Sequence, residues 1–396
     1  MTRDAVIVDI VRSPMAKGRP GTDQRPGGAL CSVHPVELLG QVLAQLMDRT
    51  GVDPGAVEDV ITGCVSQVGE QTGPVGRWAW LAAGLPEHVP STAVNRACGS
   101  SQQAADFAAQ GVLAGAYDMV IAAGVESMSR IPLLSARIGQ DPHGPSVSSR
   151  YAPGLVPQGV SAELVAARWK LSRRDLDEYA ARSHALAHAA DRAPEIVGIT
   201  RQDGTVVAED ETVRPQTEPE LLAGLEPVFR STELSARFPE IEWSVTAGNS
   251  SQITDGAAAA LIMSEQRASE LGLRPLARFH AFAVAGDDPI TMLTAPIPAT
   301  EKALLRGGLR LAELDQYEVN EAFASVPLAW QEHFAADPKL LNPRGGAIAL
   351  GHPLGASGLR LLGSLVHGLR ETGGRYGVQT MCEAGGMANA TIIERV

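Results

Sequence analysis

Asn95-Arg96-Ala97-Cys98-Gly99-Ser100-Ser101 opens a stretch of small apolar residues that ends at Gly115 and gives way to Tyr117 and a strand-like run to Ala123. The same plan returns near the C-terminus. His352 precedes a helical stretch, then Gly374, Tyr376 and a strand-like run into Met381-Cys382-Glu383-Ala384-Gly385-Gly386. Upstream, Gly51 to Ser66 has its counterpart in Gly308 to Ser325, each a glycine, a spaced apolar segment and a strand. One unit written twice predicts two α/β halves about an approximate twofold axis, with corresponding loops facing each other. Cys98 and His352 are then equivalent positions at one centre, and folding brings Cys382 to them.

The rest of the chain fits this frame. Ala5 to Val11 reads as a buried strand, Val36 to Arg49 as a helix stopped by Gly51, and Asp59 to Val65 as a second strand. A Gly-rich connection, Gln67 to Gly76, leads to a helix with Trp78 and Trp80. Ser101 to Leu113 is a helix with Cys98 at its mouth, where unpaired N–H groups and the macrodipole favour a thiolate. From Glu126 to Trp243 the texture changes to scattered Pro, Ser and Gly, one Arg-bearing helix over 162–189, and charged loops. So long a stretch reads as an inserted domain. Patterning resumes at Val245-Thr246-Ala247-Gly248-Asn249 and the Ala-rich run Gly256 to Met263. The expected divisions are 1–127 with 244–273, an inserted loop domain over 128–243, and 274–396.

Composition narrows the function. The chain has 396 residues, is 44% hydrophobic and only 4% aromatic, and carries 41 glycines, which favours close-packed helices and tight turns. A formal charge of -12 argues against nucleic-acid or anionic-membrane binding. The four cysteines, at 31, 64, 98 and 382, have neither zinc-site spacing nor a disulfide pattern, so no metal is expected and reduced thiols in the cytoplasm are. The first ten residues lack a secretory core, and no run of about 18 uncharged apolar residues is present to enter a membrane.

Three further stretches carry chemistry: Asn320-Glu321-Ala322-Phe323, the run Asn342-Pro343-Arg344-Gly345-Gly346 through Leu350-Gly351-His352-Pro353-Leu354-Gly355-Ala356-Ser357-Gly358, and the glycine run after Cys382. With the Cys98 turn they resemble the thiolase family across essentially the whole chain. The resemblance implies the thiolase fold, two similar α/β halves layered αβαβα, and reversible thiolytic cleavage of 3-oxoacyl-CoA by CoA to acetyl-CoA and a shortened acyl-CoA.

By that resemblance Cys98 forms the acyl thioester, for which sulfur is both a strong nucleophile and a competent leaving group. His352 is the base that activates it, and Cys382 the second acid/base. One oxyanion site combines His352 with a water held by Asn320; the other uses the backbone N–H groups of Cys98 and Ala384. Ala247, Ser251, Ala322 and Phe323 are expected along the pantetheine channel. Coenzyme A is substrate and product, with no bound cofactor; acyl-CoA, CoA and acetyl-CoA are the partners, and a homodimer or homotetramer is expected. Arg182, Arg214 and Arg230 are available for the nucleotide phosphates.

Three departures from the family pattern touch the site: Ala384 and Ala388 replace common glycines, and Gly99-Ser100-Ser101 differs from the usual ending of the first cysteine motif. Ala384 keeps its N–H but is strained if the backbone there needs positive φ. A lone cysteine among small residues is most often a packing residue, and Cys31 and Cys64 keep that reading. Glu321 reads as a structural hydrogen-bond acceptor. Two rivals stay open: a ketoacyl-synthase-like condensing enzyme, which favours a Cys-His-His or Cys-His-Asn set, and a non-catalytic acyl-CoA or sterol carrier. The Gly63 to Gln71 stretch and Met381-Cys382-Glu383 are similar to thiolases of fatty-acid and sterol side-chain breakdown.

Overall fold

The computed structural model describes residues 3–396. The N-terminal part supplies β1 (Ala5–Arg12), β2 (Ala16–Lys17), α1 (Pro35–Thr50), β3 (Val60–Gly63), α2 (Val75–Ala82), β4 (Ser91–Val94), α3 (Ser100–Leu113) and β5 (Met119–Ser127). A long segment follows with α4 (Gly144–Arg150), α5 (Gln158–Arg168), α6 (Arg173–Ala189), the short pair β6 (Ile199–Thr200) and β7 (Val206–Val207), α7 (Pro219–Ala223) and α8 (Thr232–Arg237). Then come β8 (Thr254–Ser264) and α9 (Glu265–Glu270). The C-terminal part adds β9 (Ala277–Gly286), α10 (Pro296–Gly307), β10 (Gln316–Val319), α11 (Ser325–Phe334), α12 (Ala347–Leu350), α13 (Ser357–Thr372), β11 (Tyr376–Glu383) and β12 (Met387–Arg395).

The strands run β10-β11-β12-β9-β1-β8-β5-β3-β4, with β2 beside β8. Outward from the β1/β9 seam the two directions repeat each other. β1–β8 and β9–β12 are antiparallel, β8–β5 and β12–β11 are antiparallel, and β5–β3 and β11–β10 are parallel. Even the register agrees: Val60 faces Ile121 and Gln316 faces Gly377, an offset of 61 residues in both. The seam itself is two residue pairs, Val6 with Arg278 and Ile7 with Ala277.

The layers follow from strands that are apolar on both faces. Along β8, Ala257, Ala259, Leu261 and Met263 point into a cluster with α1 and α2, while Ala258, Ala260 and Ile262 point into another with α3 and α13. A third cluster joins β9 to β12 with α10 and α11. The helices α3 and α13 thus form a middle layer touching both sets of strands. Their contact is intimate: a Cβ on Gly358 would lie 2.1 Å from the Gln102 nitrogen, and Leu359 N–H donates to Ser101 Oγ at 3.1 Å. The small-residue texture around Cys98 and His352 is what lets these two helices meet.

One expected element differs. The single helix over 162–189 is two, α5 and α6, because Lys170 turns left-handed (φ 55) and Ser172 starts a new helix with a reciprocal capping box to Asp175. Both helices pack into the cluster of the C-terminal strands, through Val165, Leu176 and Tyr179. Among the described residues no helix is long and apolar enough to cross a membrane.

Candidate active site

Cys98 stands in a strained turn just before α3. Ala97, a non-glycine residue, is held at φ 45, where the cost is about 1–3 kcal/mol. The turn is over-determined by side chains. Asn95 Oδ1 accepts from Ala97 N–H at 3.0 Å, and Ser100 Oγ accepts from Arg96 N–H at 3.0 Å while donating to Ala97 O at 2.6 Å. The unusual residues Gly99-Ser100-Ser101 are thereby explained one by one. Ser100 locks the turn, Ser101 receives the approach of α13, and Gly99 leaves room for Glu383, whose Oε1 would lie 2.0 Å from a Cβ there.

The sulfur of Cys98 does not have the depressed pKa expected at a helix mouth. Burial pushes it up to about 12, helped by the neighbouring Glu383 and Glu126 carboxyls, against smaller opposing hydrogen bonds from its own N–H and from Gln158 at the start of α5. Desolvation outweighs the helix terminus, so the resting group is a thiol. Cys382, near the end of β11, is buried, and its thiol is raised well above the ordinary value by burial first and then by the neighbouring Cys98 and Glu383.

His352 follows Gly351, which takes φ 92 and whose missing Cβ makes room for the Thr254 side chain. The loop is pinned by His352 N–H donating to Gln252 O at 3.0 Å. On the ring, Nδ1 lies 2.6 Å from Ser357 Oγ and Nε2 lies 3.4 Å from Asn320 Nδ2. Burial, and then the charge of Arg360, bring the imidazole down to about 3, so it is neutral near neutral pH. Asn320 Oδ1 is buried with no partner among the described residues. Leu354, two residues after His352, packs with Cys98, Leu361 and Met381. No hydrogen bond joins Cys98 to His352 among the described residues; the structure couples Cys98 with Cys382, and His352 with Asn320, across that apolar contact.

Ala384 raises no strain. It lies outside the left-handed region, which is taken by Gly385 (φ 87) and Gly386 (φ 76), and the N–H of this exposed residue donates to no other group among the described residues. The pantetheine candidates are knit together: Ser251 N–H donates to Ala322 O at 2.9 Å, and Phe323 meets Phe229 edge-on at 6.2 Å. Ala247 is exposed, Ser251 half-buried, and Ala322 and Phe323 buried. Glu321 has the acceptor role read for it, receiving Tyr179 Oη at 3.0 Å, Ser183 Oγ at 2.7 Å and Ile348 N–H at 3.0 Å. Arg182 is engaged by the Pro338 and Leu341 carbonyls, whereas Arg214 lies against His184 and Arg230 is exposed. Sequence reasoning missed Gln158, Ser357 and Glu126. Ser357 lies inside the His352 motif; Gln158 carries no local signal.

Comparison with known proteins fits this arrangement. The thiolase N-terminal domain profile matches residues 5–266 and the thiolase C-terminal domain profile matches residues 273–395. The chain belongs to the thiolase family. This thiolase is 44% identical to the steroid 3-ketoacyl-CoA thiolase FadA6 of Mycobacterium tuberculosis, covering 99% of this chain and 94% of that one. It is 40% identical to the 3-ketoacyl-CoA thiolase of Hahella chejuensis, over 100% of this chain and 99% of the relative. The crystal structure of the Bacillus anthracis acetyl-CoA acetyltransferase superposes with a TM-score of 0.87 at 37% identity, covering 100% of this chain and 99% of that one. The protein is thus an acyltransferase of the thiolase fold.

Proposed function

We propose that this thiolase cleaves 3-oxoacyl-CoA through a thioester on Cys98, in the degradation of fatty-acid or sterol side chains. The Cys98 sulfur attacks the C3 carbonyl while His352 Nε2 accepts its proton. The C2–C3 bond then breaks, leaving the shortened acyl group on sulfur and an acetyl-CoA enolate. Cys382 gives that enolate its proton, and acetyl-CoA leaves. The thiol of a second CoA attacks the thioester, its proton passing to the Cys382 thiolate; as the bond from the acyl carbon to the Cys98 sulfur breaks, His352 returns its proton to that sulfur, and the shortened acyl-CoA is released with Cys98 regenerated. Charge on the C3 oxygen, an alkoxide after the attack and the thioester carbonyl after cleavage, is received by the N–H groups of Cys98 and Ala384, and charge on the acetyl-CoA enolate oxygen by His352 with a water on Asn320.

The observation that carries this reading is the pair of buried thiols, Cys98 and Cys382, far apart in sequence and adjacent in the fold. A ketoacyl synthase needs no second thiol, and a passive carrier needs neither. Bulky acyl groups are favoured by the 44% identity to a relative named for steroid 3-ketoacyl-CoA. In the same reading, 128–243 with Ala247, Ser251, Ala322 and Phe323 holds coenzyme A, the chain works as a homodimer or homotetramer, and it acts in the cytoplasm. The test is CoA-dependent cleavage of a 3-oxoacyl-CoA series from four carbons to steroid-sized chains, with Cys98→Ser as control. Cleavage that rises toward the bulkier members and vanishes in the variant is expected; no cleavage of any member, or full activity in Cys98→Ser, overturns it.

A further inference from the structure

The His352 motif contains two residues for which the proposed reaction has no use, Ser357 and Arg360. Both sit in the first turn of α13, three residues apart and so on one helix face. Arg360 is 1% exposed, yet none of its three guanidinium nitrogens has a hydrogen-bond partner among the described residues. A buried, unbonded cation is costly, and the charge of this one acts on His352.

We propose that the first turn of α13 fixes His352 as a neutral imidazole with its hydrogen on Nδ1, Ser357 receiving that hydrogen and the Arg360 charge opposing a second one. Both sides of the ring support the assignment. Ser357 Oγ lies 2.9 Å from Pro353 O, one turn back, where its single hydrogen is donated. That leaves the oxygen only its lone pairs for Nδ1, 2.6 Å away, so Nδ1 carries the N–H. At the other side Nε2 meets the Asn320 amide nitrogen at 3.4 Å, a donor, which asks Nε2 to present its lone pair. This is the form in which Nε2 can take the proton of Cys98. When it does, the S–H bond breaks, an Nε2–H bond forms, and the imidazolium faces the Arg360 charge, which favours passing the proton onward.

The surrounding charges are consistent with that role. Glu318 on β10 and Glu321 after it attract Arg360, while Arg12 on β1 and Arg192 beyond α6 repel it. Burial pushes Glu318 up to about 7, and Arg360 comes down only to about 10, so Arg360 stays charged. Of the carboxyls on strands under the loop, Asp255 on β8, Glu126 on β5 and Glu383 on β11 are all pushed upward by burial. Burial keeps Cys98 and Cys382 as thiols.

The inference rests on His352 being the base of the proposed reaction, but its main test needs no turnover. Nitrogen NMR of the whole enzyme labelled at histidine, with His352→Gln identifying the signal, reads the tautomer directly. A pyridine-like Nε2 and pyrrole-like Nδ1 near neutral pH are expected, with the preference lost in Ser357→Ala and kept in Ser357→Thr. The reverse tautomer in the wild-type enzyme, or an unchanged one in Ser357→Ala, overturns the assignment. For the charge, the acid limb of Cys98 acylation is expected to move up by about one pH unit in Arg360→Gln, the scale of a single neighbouring charge, and to stay in place in Arg360→Lys. An unmoved limb in Arg360→Gln overturns that part. Should Arg360→Gln fail to fold, a limb displaced as far in Arg360→Lys, where the charge is retained, overturns it equally. Absence of thiolysis in the unmodified enzyme refutes the proposed function instead, and leaves the tautomer measurement standing.

Discussion

Gly99→Ala isolates the unusual residue beside the proposed nucleophile. Gly99 has φ -87 and ψ 10, which alanine adopts freely, so the backbone contributes no strain. The added Cβ instead falls 2.0 Å from Glu383 Oε1 and 2.9 Å from Asn389 Oδ1, both side chains wholly buried. An ordinary contact is about 3.4 Å or more, so the carboxyl or the Cys98 turn must yield by about 1.4 Å, and overpacking of this kind costs about 1–3 kcal/mol. Alanine in place of glycine at the N-cap of α3 adds up to about 1 kcal/mol. Because a misplacement of about 1 Å at a reacting group costs about 100-fold, kcat/KM for thiolysis should fall by that order, beyond what stability explains. Denaturant unfolding and steady-state thiolysis measure the two effects, and Gly99→Ala combined with Glu383→Ala separates them. Glu383→Ala removes the obstructing carboxyl, so the combined variant should be more stable than the sum of the single losses by at least about 1 kcal/mol. A Gly99→Ala enzyme equal to wild type in both measurements, or additive losses in the cycle, refutes the steric argument.

The other expected outcomes concern protons and charges. Alkylation of Cys98 by iodoacetamide should keep rising with pH through the alkaline range, because its resting thiol is pushed up to about 12; a plateau near neutral pH reveals a preformed thiolate and sinks that reading. In Cys382→Ala, single-turnover acylation of Cys98 by acyl-CoA should survive while exchange of the acetyl-CoA methyl protons is lost, and equal loss of both contradicts the division of roles. Arg12 binds Asp210 through two hydrogen bonds of 2.7 and 2.9 Å and lies 3.5 Å from Glu195, none of the three side chains more than 5% exposed, so Arg12→Met should cost about 3–5 kcal/mol in denaturant unfolding by stranding two carboxylates. Asp210 and Glu195 are held below their ordinary values, against burial, by Arg12 and Arg192, so their contribution is complete above the unfolded-state value of about 4 and is lost as pH falls through their folded values. Stability that does not drop on acidification below about pH 4 argues against the network.

The duplicated framework was legible because its signal is periodic and local: glycine stops, apolar strands and small-residue helices recur in one order, and the strand register repeats with them. The candidate site was legible where its residues sit inside a motif, as with Cys98, His352, Asn320 and Cys382, whose placement together the sequence anticipated and whose catalytic roles are those proposed above. What escaped were effects made by distant chain. The sulfur of Cys98 is raised by burial and by Glu383 and Glu126, none of which adjoins it in sequence, and the helix-mouth argument counts only neighbours. Gln158 reaches Cys98 from α5, in a segment whose texture gives no register against α3. The break at Lys170 was written in Ser172 and Asp175, a capping box inside a longer amphipathic pattern that masked it.

Strand register also explains why the site is asymmetric although the frame is not. Because β3–β5 and β10–β11 share one offset, Cys382 on β11 occupies the place of Glu126 on β5, and Asn320 after β10 the place of Cys64 after β3. Glu126 is consumed by structure: it receives Val65 N–H and Ser66 N–H at 3.0 Å, Gln71 Nε2 and Gly355 N–H at 2.9 Å, and so ties the His352 loop to the N-terminal half. Cys64 is sealed in the outer core, its thiol pushed far up by burial and then by Glu126. On the other half the equivalent positions hold a thiol and an amide whose oxygen has no partner among the described residues. One copy of the unit thus spends its strand-end polar group on holding the His352 loop, while the other copy leaves a thiol and an amide oxygen free for the proposed chemistry. A variant that restored symmetry, Cys382→Glu, would place a third buried carboxyl beside Glu383 and Glu126 with no donors to receive it, a burial that favours unfolding over catalysis.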